Sequence, residues 1–232
     1  MAEMENITRS EEHRISIPDY TFAEELMNSV THGIGSLLGI AALVLCVVLS
    51  VLHGNVWAVV SSAIYGSALV ILYTISSIYH ALRINTAKRV FRVIDHCSIY
   101  LLIAGTYTPY TLVALRNESV WGLSPGWILF GIVWGAAVMG IVFNAVDMKK
   151  FRVVSMITYI AMGWVIILAA APLARVLDGT GIGLLFTGGV IYTVGALFYA
   201  FGKKIRFMHS LFHVFVLAGS VLHFFSILLY VI

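Results

Sequence analysis

The sequence predicts an all-α membrane protein: a bundle of seven transmembrane helices, N-terminus cytoplasmic and C-terminus outside. Three observations carry that prediction. The composition is 60% hydrophobic and only 11% charged, with a mean hydropathy of +0.97, well outside the range of ordinary water-soluble domains. The few charges are clumped, so Asp, Glu, Lys and Arg are absent from 26–82, 96–115, 119–146, 153–174, 179–202 and 207–232. The Lys and Arg residues, finally, fall almost wholly in alternate connections.

A helix needs about 20 apolar residues to cross the hydrocarbon core. The stretch 26–82 is long enough for two spans, and His53-Gly54-Asn55 supplies the turn that divides it. The expected helices are approximately 28–52, 57–82, 93–114, 124–146, 153–173, 181–202 and 208–231. Ahead of the first stands Thr21-Phe-Ala-Glu24, the pattern of a capping box. Trp57 and Trp121, near expected outer ends, fit an interfacial belt. Pro109 and Pro172 are expected to kink the third and fifth spans near their outer ends, where neighbouring helices cover the freed carbonyls. No internal repeat is visible, so an inverted-repeat transporter is not suggested.

Residues 1–20 are expected to form a cytoplasmic tail and 21–232 the transmembrane domain. The polar, rather acidic N-terminus does not read as a cleavable signal peptide. Cys46 and Cys97 both fall within expected spans and do not make a disulfide framework.

Orientation follows from the cations. Arg9, Arg14, Arg83, Lys88, Arg89, Arg92, Lys149, Lys150, Arg152, Lys203, Lys204 and Arg206 lie on one side; Arg116 and Arg175 lie on the other. Positive residues stay cytoplasmic. A split of twelve to two also supports an odd number of spans, because a missed helix would scramble it.

That topology gathers ionisable side chains at one depth. His80 closes the second span, Asp95 opens the third, and His209 and His213 open the seventh, all at the cytoplasmic face. Ionisable groups beside hydrocarbon are costly and point to function. The i, i+4 spacing of His209-Ser-Leu-Phe-His213 puts both rings on one helical face, about 6 Å apart along the axis. Such a pair commonly supplies two ligands to one metal ion, and His80 is the candidate third. Three neutral imidazoles around zinc leave the fourth tetrahedral position open, as in catalytic sites. Asp95 is the candidate general base. Ser76, one turn before His80, shares its face and is a candidate for hydrogen-bonding to the site or polarising a substrate carbonyl. Imidazole ligands also suit iron, copper or nickel.

The other histidines read more plainly. His13 and His53 are expected to be interfacial. His96 is rotated about 100° from Asp95 and is a poor fourth ligand. His223, ten residues past His213, lies roughly 15 Å deeper and is expected at most to line a cavity. Glu25, Asn28, Thr31 and His32 make one side of the first helix end polar, with capping and helix tethering as the expected role.

Taken together, Glu25-x-x-Asn28-x-x-Thr31-His32, Ser76-x-x-x-His80 with Asp95, and His209-x-x-x-His213 resemble the bacterial hemolysin III proteins of the progestin and adipoQ receptor superfamily, which includes the adiponectin receptors. The resemblance spans the membrane region, in order, and leaves out the tail before residue 20. It implies a seven-helix bundle with zinc on His80, His209 and His213 near the cytoplasmic face, and Asp95 touching the metal's water. It also implies membrane lipids as partners and hydrolysis of a lipid amide or ester with an acyl chain. A hormone-receptor role does not carry over, and nucleic acid is not an expected partner.

Two other functions stand beside the hydrolase. One is a membrane-homeostasis regulator or receptor in which zinc locks the second and seventh helices together. The other is a cytolytic pore, as the family name suggests, although the middles of the spans offer few polar groups.

Overall fold

A computed structural model of the chain describes residues 17–201 and 205–232. Most of the expected tail, with Arg9, His13 and Arg14, and the loop residues Lys203 and Lys204 lie outside the described residues. Seven helices are long and apolar enough to cross a membrane. They are α1 (Phe22–His53), α2 (Val56–Ala81), α3 (Thr86–Ala114), α4 (Pro125–Asp147), α5 (Arg152–Val176), α6 (Gly179–Phe201) and α7 (Met208–Tyr230). In the bundle, α1 packs against α2 and α7, α2 against α3, α3 against α4, and α6 against α7.

The first helix is turned inside out relative to one of a soluble bundle. Along α1 the buried positions are Asn28, His32, Gly35, Gly39, Ala42, Cys46 and Ser50, a stripe at spacings of three and four. Its Leu37, Val48 and Val51 face outward. Association of helices in lipid gains little from burying hydrocarbon, so small residues and interhelical hydrogen bonds hold the faces together. Ser50 pairs with Ser62 at 2.8 Å and Ser36 with Thr74 at 2.7 Å. Deeper in the bundle, Ser220 of α7 joins Tyr73 of α2 at 2.6 Å and Tyr192 of α6 at 2.7 Å.

Two boundaries lie upstream of those expected, and both matter at the site. The first helix starts at Phe22 rather than near 28, because the capping box forms: Glu24 N donates to Thr21 Oγ1 and Thr21 N to Glu24 Oε2. The third starts at Thr86 rather than near 93, because Asn85 Oδ1 accepts from Lys88 N at 2.9 Å. Lys88, Arg89 and Arg92 therefore sit on helix, not in a loop. Cations in a first turn oppose the helix dipole by about 0.3–1 kcal/mol each, which hides this start from a sequence reading. Asp95 consequently lies about two and a half turns into α3 rather than at its first turn.

Both prolines coincide with distorted helix, as expected. Pro109 is followed by a π-helical segment, Tyr110–Ala114, and Thr111 Oγ1 donates to Tyr107 O at 3.0 Å. Ahead of Pro172, α5 tightens into a 3-10 segment, Val165–Ala169. The Tyr107 hydroxyl of α3 bridges that distortion, donating to Gly163 O at 2.9 Å and accepting from Ile166 N at 3.0 Å. Tyr107→Phe leaves the buried Ile166 N–H without this partner, a cost of about 1–3 kcal/mol, and also frees the part-buried Gly163 carbonyl. Thermal unfolding in detergent is expected to show a clear drop in Tm for this variant; an unchanged Tm would mean that the bridge contributes nothing.

The expected outer belt is present in part. Trp57 meets Trp127 edge to face at 5.5 Å, and the Arg116 guanidinium lies 4.7 Å from the Trp57 ring. Trp121 is almost fully exposed, on the α3–α4 loop, with a positive φ of 53°.

Candidate metal centre

The last turn of α2 carries His80, and α7 opens with Met208 and His209. The junction before α7 is unusual. Phe207, its N-cap, has a left-handed backbone (φ 61°) and no side-chain cap, a conformation that costs a non-glycine residue about 1–2 kcal/mol. Its N–H is satisfied from another helix: Glu24 Oε1 accepts it at 2.8 Å. The carboxylate that completes the capping box of α1 thus also caps α7.

Held this way, His80, His209 and His213 converge, all three buried, with one ring nitrogen of each within 4.8 Å of the others. His209 Nε2 lies 3.3 Å from His80 Nε2 and 3.1 Å from His213 Nε2. Nitrogens bound to one tetrahedral zinc at about 2.0–2.1 Å stand about 3.3–3.4 Å apart, so these two separations match edges of that tetrahedron. The tautomer of His80 is set by its partner. Nδ1 lies 2.6 Å from Glu25 Oε2; a carboxylate only accepts, so Nδ1 carries the proton and Nε2 turns its lone pair to the triad. The three histidines can hold a metal ion.

Asp95 and Ser76 are buried and stand on the wall of one cavity with His209 and His213. His96 is excluded from the triad, as its rotation implies: its Nδ1 faces Arg92 O at 2.9 Å and its Nε2 the Tyr199 hydroxyl at 3.2 Å. His53 is exposed at the end of α1. His223 lines the deep part of the cavity, donating from Nε2 to Leu185 O at 3.0 Å.

The cavity measures about 160 Å³. Beyond the histidines its wall is mainly apolar, including Leu72, Leu102, Ile103, Ile160 and Val216 from α2, α3, α5 and α7. It therefore offers a polar end at the triad and a greasy interior.

Three residues at the site carry more than the sequence reading assigned to them. His32 of α1 stacks on His213, ring centroids 3.7 Å apart and 12° from parallel, and among the described residues neither of its nitrogens has a hydrogen-bond partner. Tyr20 stacks on His209 at 5.0 Å; burial pushes its hydroxyl well above the usual phenol range, so it stays uncharged. Lys88, counted in the sequence as a loop cation, is buried, with Nζ 2.7 Å from Glu25 Oε1 and 2.9 Å from Leu82 O. Asn85 as a helix cap was the one available signal for Lys88, since it places that residue on α3. Tyr20 had none.

The chain is similar to known membrane-protein relatives. The sequence profile of the family described as Haemolysin-III related matches residues 20–224. The chain is 42% identical over 209 residues to Hemolysin-3 of Bacillus cereus, covering 90% of this chain and 92% of that one. It is 43% identical over 211 residues to the Hemolysin-3 homolog of Bacillus subtilis (strain 168), covering 91% and 96%. With the human Monocyte to macrophage differentiation factor it shares 27% identity over 213 residues, covering 89% and 84%.

Proposed function

Because the chain belongs to the Haemolysin-III related family and is a multi-pass protein of the cell membrane, we propose that its buried triad makes it a zinc-dependent hydrolase. The substrate class is a lipid amide or ester, cleaved at the cytoplasmic side of the bilayer. The observation that carries this reading is three converging imidazoles, two of whose nitrogen separations are near those around a tetrahedral ion, two of them, His209 and His213, lining a mainly apolar cavity.

His80, His209 and His213 would hold the zinc, which when bound would supply a Lewis acid and lower the pKa of its bound water toward about 7. The chain's own groups do the rest. Asp95 takes the proton of the attacking water as general base and returns it to the amine or alkoxide that leaves as the acyl C–N or C–O bond breaks. Ser76 donates a hydrogen bond to the scissile carbonyl. The apolar wall receives the acyl chain and keeps bulk water from the deeper bundle. Placement near the membrane–water interface suits this chemistry, since the nucleophile comes from the wet side and the substrate from the lipid.

The test is release of free fatty acid from a panel of lipid amides and esters by the protein in lipid nanodiscs. Release is expected to stop on chelation and return with zinc. If no member of the panel is cleaved and chelation only lowers Tm, the hydrolase reading fails and the metal locks α2 to α7.

A further inference from the structure

The geometry points to Glu25 and Lys88 as positioning residues for the metal centre: a part-buried ion pair, the lysine buried and the carboxylate 17% exposed, whose carboxylate orients His80 and sets the zinc affinity of the triad. This inference rests on zinc being held by His80, His209 and His213.

Glu25 bridges two buried groups. Its Oε2 accepts from His80 Nδ1 at 2.6 Å and its Oε1 from Lys88 Nζ at 2.7 Å, while the His80 and Lys88 side chains are 0% and 2% exposed. A metal-ligating histidine gains basicity and a fixed ring orientation when its second nitrogen donates to a carboxylate. Of the triad, His80 has this partner.

Lys88 explains why the carboxylate stays in place. A buried ammonium is tolerated only when paired and hydrogen-bonded, and Lys88 meets that condition with Glu25, Leu82 O and the Tyr79 ring, 5.1 Å from Nζ. The pair is neutral as a unit. It therefore adds no net charge beside the divalent ion, yet presents its negative end to His80.

The arrangement draws on three helices. Glu25 comes from the first turn of α1, His80 from the last turn of α2 and Lys88 from the first turn of α3. It turns the polar start of α1 from a cap into part of the metal centre.

The experiment is zinc affinity of the full chain in detergent, measured by competition with a chromophoric chelator, together with the visible absorption bands of the Co²⁺-loaded protein. Glu25→Gln keeps the shape and removes the charge; its zinc dissociation constant is expected to rise about 10–100-fold, with a shift in the Co²⁺ bands as His80 loses its orientation. The double variant Glu25→Gln/Lys88→Met removes the ion pair as a unit and avoids a buried unpaired lysine. It is expected to show the same loss, and it serves where the single variant does not fold. Wild-type affinity and unchanged Co²⁺ bands in either folded variant would overturn the positioning role while leaving the metal site standing. A wild type that binds no zinc would instead remove the metal reading, and this inference with it.

Discussion

His209→Ala and His80→Ala are each expected to strip the purified protein of the zinc proposed for the triad. Wild type prepared without chelators is expected to carry about one zinc per chain by plasma mass spectrometry, and either variant less than about a tenth of that. The effect is large because the site is small. Three imidazoles are the whole set of metal-capable side chains that converge there among the described residues, and removing one leaves two donors in a buried place. The two variants sit on different helices, α7 and α2, so equal loss in both would establish one ion shared across the bundle. Loss in His209→Ala alone would take His80 out of the ligand set. His223→Ala is the control: its ring bonds Leu185 O deep in the cavity, and its metal content should match wild type.

Asp95→Asn is expected to lower turnover about 10²–10⁴-fold, the usual contribution of a positioned general base, with zinc content unchanged. Asparagine keeps the size and the hydrogen-bonding outline of the side chain but cannot take a proton at neutral pH. The carboxylate stands on the cavity wall with His209, His213 and Ser76. His96 Nδ1 lies 3.7 Å from Asp95 Oδ2; that nitrogen is also bonded to Arg92 O. The check is a paired measurement of fatty-acid release and metal content on the same preparation. Full activity with full metal would end the assignment of Asp95 as base. Loss of both would make Asp95 a structural residue.

The main spans, their order and the shared depth of the triad are legible in the sequence. The errors were local and shared a cause. Both displaced helix starts lie where polar or charged residues continue a helix beyond its apolar run, as Thr21 through Glu25 and Asn85 through Arg92 do. Apolar run length marks the part of a helix that sits in hydrocarbon, whereas caps mark where the helix begins. Lys88 was misread for the same reason. It belongs to a run of basic residues whose placement obeys topology, and nothing in that run separates the buried cation from the solvated ones.

By itself, the sequence determined that this chain crosses a membrane seven times with its basic connections on one side, and that His80, His209 and His213 share a depth. Those are one-dimensional properties. The bilayer acts as a solvent of fixed thickness that reads hydrophobic length and loop charge along the chain. Only the tertiary structure decided which faces meet: that Glu25 turns to His80 and Lys88, that Glu24 caps α7, that Tyr107 bridges the break in α5. Each depends on the rotation and crossing of a helix about its own axis. Those angles are set by close packing and hydrogen bonds between helices distant in sequence, and no residue's neighbours along the chain record them.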